Sequence, residues 1–128
     1  MREIRFRGKR KIDGKWVYGY LIGTDVIVGE IVEFNDEYFN TEFWWKVDPK
    51  TVGQFTGLRD MNGIEIYEGD VVKVGMDERI TSVSYEAGCF YTIIDDSRYR
   101  LGGWETESVE VLGNKFDHHH LLKGDGNA

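Results

Sequence analysis

The sequence predicts an all-β chain, an N-terminal β-sheet region followed by a small β-barrel, and three observations carry that expectation. Short apolar runs alternate with polar residues at a period of two, the spacing of a half-buried strand. Sixteen glycines and a single proline supply tight turns between them. Four Trp, seven Tyr and seven Phe provide bulky side chains suited to a pleated surface. A chain of 128 residues is of single-domain size and can bury roughly two thirds of its unfolded surface.

From the start, Ile4 and Phe6 alternate with Arg5 and Arg7 as a first strand with one apolar and one basic face. Asp13-Gly14 signals a hairpin, and Trp16 to Leu21 supplies the returning strand. Gly23-Thr24-Asp25 and Gly29 mark turns around Val26-Ile27-Val28, and Asn35-Asp36-Glu37 reads as a loop. An aromatic segment, Tyr38-Phe39 and Phe43-Trp44-Trp45, leads to Asp48-Pro49, an N-cap and first-turn pair limited to about one helical turn by Gly53. Asn62-Gly63 predicts a type I′ hairpin turn. Strand segments follow at 70–75, 79–86, 89–95, 98–101 and 108–113, a spacing that suits a small barrel. Val83, Tyr85, Phe90, Ile93, Ile94, Leu101, Trp104, Val109, Val111 and Leu112 are its expected filling. The expected division is a sheet region over 1–47, a central hairpin with the barrel over 48–116, and a tail over 117–128.

Residues 48–74 hold the densest local instructions. Val52-Gly53-Gln54, Thr56-Gly57-Leu58, Asp60, Asn62-Gly63 and Ile66-Tyr67-Glu68-Gly69-Asp70-Val71 resemble the central signature of the YopX family of phage and prophage proteins. The opening through Lys9, with Trp16-Val17-Tyr18-Gly19, is similar to the family's start, and Val109 to Asn114 is similar to its closing strand. The resemblance implies an SH3-like form for the barrel and a phage or prophage context, without an established activity.

Composition restricts the function classes. The net charge is −7, yet residues 1–16 hold seven Lys and Arg against Glu3 and Asp13, so the opening carries +5 and the remainder −12. Such an acidic chain is a poor general binder of nucleic acid, which requires clustered cations. With no apolar run of eighteen residues, a charged start and one lone cysteine, Cys89, the expectation is a soluble cytoplasmic protein without a membrane partner.

Catalytic groupings are weak. His118-His119-His120 beside Asp117 is the one cluster of metal-ligand types, but no Cys or further His completes it. Asp95-Asp96, with Glu105 and Glu107, could mimic a carboxylate pair, although such a turn ordinarily caps its own backbone. No nucleophile elbow or phosphate-binding glycine loop is present. No catalytic residues, metal or cofactor are therefore assigned, and no enzymatic activity is expected.

Binding surfaces are better supplied. Arg5, Arg7, Lys9, Arg10 and Lys11 lie near Trp16, Tyr18 and Tyr20, and cations beside aromatics could grip a nucleic acid or cover the rings of their own sheet. Trp44 and Trp45 are adjacent on a strand, so they face opposite sides, and the outward one suits a contact with another subunit. The expected function is a non-enzymatic accessory protein that self-associates as a homo-oligomer or binds a phage or host protein. Its contact candidates are Arg5, Arg7, Trp16, Trp44 and Trp45. The alternatives are nucleic-acid binding through Arg5, Arg7, Lys9, Arg10, Lys11, Tyr18 and Tyr20, and an enzyme using the His118–His120 segment or the Asp95-Asp96 turn.

Overall fold

Antiparallel strands make up almost all of the regular structure in the computed structural model, which describes residues 4–29, 31–76, 78–101 and 108–123. The chain divides into two units, Met1–Phe55 and Thr56–Ala128.

In the first unit, β1 (Phe6–Lys9), β2 (Trp16–Ile22), β3 (Val26–Val28) and β6 (Trp44–Lys46) lie in the order β6-β3-β2-β1. The turn before β2 is closed by the Arg10 N–H donating to the Lys15 carbonyl, and Gly14 takes φ +73. That loop sets the register Arg7 to Tyr18 and Lys9 to Trp16, placing those cations and rings on one face. On the other face, Ile27 and Val47 are fully buried. Gly8 and Gly19 make room for them. A Cβ at Gly8 would meet Val47 at 3.1 Å, and one at Gly19 would collide with the Val28 carbonyl. β4 (Ile31–Phe34) and β5 (Phe39–Thr41) form a hairpin around the expected 35–37 loop, where the Asn35 carboxamide accepts from the N–H groups of Glu37 and Tyr38.

A 3₁₀ turn, Pro49–Thr51, follows as expected, with the Asp48 side chain capping the Lys50 N–H. Gly53 and Gln54, which open β7 (Gly53–Arg59), then pair with Arg7 and Phe6.

The second unit opens with the rest of β7 and with β8 (Glu65–Tyr67). The turn between them differs from the sequence expectation. Gly63 alone has positive φ, +81, and its N–H donates to the Asp60 carbonyl. Met61 and Asn62 therefore make an ordinary tight turn that Gly63 completes in the left-handed conformation, the three-residue hairpin alternative to type I′. Asp60 selects it: its buried carboxylate accepts from the N–H groups of Asn62 and Ile64.

Two three-stranded sheets follow. β9 (Asp70–Val74) lies between β10 (Arg79–Ser82) and β14 (Val109–Asn114), and β12 (Cys89–Ile94) lies between β11 (Ser84–Glu86) and β13 (Ser97–Arg100). β10 and β11 are the single expected segment interrupted at Val83, whose N–H donates to the Asp70 carbonyl. The two-residue turns with two positive φ values occur at Ala87-Gly88 and at Asp95-Asp96.

Ile66, Val72, Val83, Phe90 and Val109 form the core, with Leu58, Val74, Leu101 and Val111 packed on it. Tyr85, Ile93 and Leu112 are exposed rather than filling it. Ile93 has the opposite strand parity to Phe90, Thr92 and Ile94, and Leu112 sits at a bulge in the β14 register. Trp104 lies outside the described residues.

The chain after Asn114 turns back. The Asn114 carboxamide accepts from the N–H groups of Phe116 and Asp117, the Asn114 N–H donates to His118 Nδ1 at 3.2 Å, and α1 (His120–Lys123) follows.

Candidate functional site

Four cations of the first unit, Arg5, Arg7, Lys9 and Arg10, lie over its own aromatic rings. On β1, Arg7 is 7% exposed, with its guanidinium carbon 4.8 Å from the centroid of the Trp16 ring. Lys9 Nζ lies 5.6 Å from the same ring. Arg5 covers Phe55 at 4.8 Å. Arg10, on the turn after β1, lies 3.5 Å over Trp45 and is held by an ion pair with Asp13 at 3.2 Å. These contacts desolvate the guanidinium faces that stacking on a base would use. Of the five expected cations, Lys11 has no ion-pair or ring partner among the described residues.

The Trp pair splits as its strand parity requires. Trp45 is half-buried under Arg10, while Trp44 is 63% exposed. Trp16 is half-buried beneath Arg7 and Lys9, and Tyr18 and Tyr20 are exposed on the same face of β2. Beside Trp44 lie two apolar residues absent from the sequence-derived candidates. Ile12, at the tip of the β1–β2 turn, is 77% exposed, and Ile22 at the end of β2 is exposed as well. Their signal was legible, because Ile12 is a branched apolar residue inside the polar turn Lys11-Ile12-Asp13-Gly14.

Lys11, Ile12, Trp44, Trp45 and Lys46 line a shallow cleft of about 440 Å³. On the other side of Trp44, Ile22, Val26, Val28, Asn40 and Thr41 line a second of about 370 Å³. Trp44 forms the ridge between two apolar depressions. Lys46 at the rim is paired with Asp25 at 3.2 Å. The arrangement offers apolar contact area with cations at its border, the composition of a protein-binding patch, and no reactive group.

The remaining candidates are dispersed. His118 is half-buried against Gly113, and its ring centroid is 6.2 Å from that of His120. Among the described residues no three His, Cys, Asp or Glu side chains converge on one point. Asp95 is bound to Arg79 at 2.6 Å, while Asp96 stands beside it on an exposed turn, and Glu105 and Glu107 lie outside the described residues. A cleft of about 630 Å³ in the second unit is lined by Val74, Thr92, Ile94 and Leu101 with Arg79 and Tyr99. Arg79 there is neutralised by Asp95, and Arg98 is shared between Glu86 at 3.4 Å and the Tyr91 ring at 4.1 Å. No helix among the described residues is long and apolar enough to cross a membrane.

The fold has a counterpart among solved structures. The crystal structure of protein EF1440 from Enterococcus faecalis superimposes with a TM-score of 0.65 at 20% sequence identity, covering 95% of this chain and 99% of that one. A search of curated proteins gives no match. The family model described as YopX protein matches residues 5–123, taking in both units and nearly the whole chain, and this protein therefore belongs to the YopX family.

Proposed function

We propose that the protein is a non-enzymatic interaction module whose contact surface is the edge of the first unit around Trp44. The observation that carries this reading is the exposure of Trp44 between two apolar depressions, with Ile12 and Ile22 beside it. Large aromatics are costly to leave in water, and they recur as the anchors of protein interfaces. The second unit is a compact unit of its own. Its two three-stranded sheets and the strand bent at Val83 support an SH3-like barrel reading.

Nucleic-acid binding has less support, since Arg5, Arg7, Lys9 and Arg10 lie over the chain's own rings. Membership of the family supports a phage or prophage accessory role in the host cytoplasm.

The test compares wild type with Trp44→Glu, first by light-scattering mass across a concentration series, then by recovery of bound protein from host cells expressing each form. A mass increase or a defined bound partner that Trp44→Glu abolishes is the expected outcome. Identical behaviour of the two forms in both measurements would remove Trp44 from any interface.

A further inference from the structure

We infer that the outer edge of β13 takes an extended acidic peptide as an added strand, one in which a carboxylate is flanked by apolar residues. This surface belongs to the second unit and stands independently of the Trp44 edge.

The hydrogen-bond register leaves the edge open. The Leu101 N–H donates to the Phe90 carbonyl, so Leu101, Tyr99 and Ser97 turn their N–H and C=O groups toward β12. Those of Arg98 and Arg100 point away from β12, and they have no hydrogen-bond partner among the described residues. All four residues of β13 are exposed, and the strand ends its sheet. An extended chain laid alongside would satisfy these groups.

Side-chain parity selects the sequence of that chain, because residues directly opposite one another in an antiparallel pair share a face. Arg98 and Arg100 stand on one face of β13. Tyr99 and Leu101 stand on the other, where they line the cleft of about 630 Å³ with Val74 and Ile94. Arg98 and Arg100 line the same cleft, so it reaches the free edge.

Of the cations here, Arg98 leans over the Tyr91 ring to Glu86, and Arg79 is held by Asp95. Arg100 has no ion-pair or ring partner among the described residues, which leaves it for a carboxylate of the added strand. Asp96, the exposed carboxylate at the hairpin tip, precedes the other end of β13, roughly 13 Å from Arg100 along the strand. The partner residue opposite Arg100 is therefore acidic, and its two neighbours, which share the face of Tyr99 and Leu101, are apolar. A second copy of β13 fits less well. Antiparallel pairing of the strand with itself about Arg98 or Tyr99 sets arginine opposite arginine.

The test titrates two end-capped, fluorescein-labelled peptides onto the full chain, one alternating Val and Glu, the other alternating Val and Lys. Anisotropy measures binding, and amide hydrogen exchange followed by NMR locates it. The Val-Glu peptide is expected to bind and to slow exchange at Arg98 and Arg100, and the Val-Lys peptide is not. Arg100→Glu should weaken the Val-Glu peptide about tenfold and admit the Val-Lys one, since it replaces an attraction by a repulsion. Arg98→Pro removes an outward N–H while leaving Arg100 in place, and it should weaken the Val-Glu peptide too. Both positions are exposed, so circular dichroism and melting temperature verify that the variants keep the fold.

Equal binding of the two peptides by wild type, binding of neither, or protection confined to other strands overturns the inference. Protection of the Arg98 and Arg100 amides that appears without peptide and rises with protein concentration gives the edge to a second copy, and overturns it as well.

Discussion

The guanidinium carbon of Arg10 lies 3.5 Å from the centroid of the Trp45 ring, the shortest of the cation–ring contacts described in the first unit. It joins the turn after β1 to the strand β6 that presents Trp44, and Asp13 holds the other side of the guanidinium. Arg10→Ala should uncover Trp45 and cost about 1 kcal/mol, the scale of a partly desolvated cation–π contact. Tryptophan emission should shift to longer wavelength as the ring meets water. An unshifted spectrum with unchanged stability would show that Arg10 does not shield Trp45 in solution.

Asp60 makes a different kind of link. Its Oδ1 accepts from the N–H groups of Asn62 and Ile64, and its Oδ2 accepts from the Val111 N–H at 2.9 Å. Asp60→Ala should destabilise the protein by about 3 kcal/mol, since it strands several donors in a largely buried site. A chemical-denaturation midpoint within error of wild type would contradict that assignment.

At Gly63 there is space for a side chain but not the backbone freedom. A Cβ added there would meet nothing within 4 Å, yet φ is +81. The cost of substitution is therefore conformational. Gly63→Val should lose about 1–2 kcal/mol, and Gly63→Asn distinctly less, because Asn tolerates the left-handed region. Thermal melts giving equal losses for the two would place the cause in contacts instead.

Gly19 presents the reverse case, ordinary backbone and no space. A methyl group there would collide with the Val28 carbonyl. Gly19→Ala should cost about 1–3 kcal/mol by overpacking and push β2 from β3. Amide hydrogen exchange would register this as faster exchange at Val28 and its neighbours, and unaltered protection there would contradict it.

The strands of the second unit were legible because Gly and Asp turns separate β-branched runs, as at Val71-Val72 between Gly69 and Gly75. Which parity of each strand faces inward was less legible. Ile93 and Leu112 are as apolar as their neighbours, and only the pairing and the β14 bulge decide against them. Turn type escaped for a related reason. Asn62-Gly63 has the composition of a type I′ turn, but the carboxylate of Asp60 stabilises a different one. At the candidate site, the sequence placed cations near aromatics and left two outcomes open. The Lys9 to Trp16 register, fixed by the length of the intervening loop, determines that the rings are covered from within the unit. Ile12 completes the exposed patch from a turn, where strand periodicity carries no information.

The position of β14 has a consequence for synthesis. β9 pairs with β10 on one side and with β14 on the other, and β14 spans Val109–Asn114. Once residues 79–82 have paired with it, and while a ribosome is still adding the residues up to 108, Val71 and Val72 belong to a strand with one open edge. The second unit cannot close that edge until residues 109–114 have emerged, and the nascent chain carries an unpaired strand able to recruit one from a neighbouring chain until then.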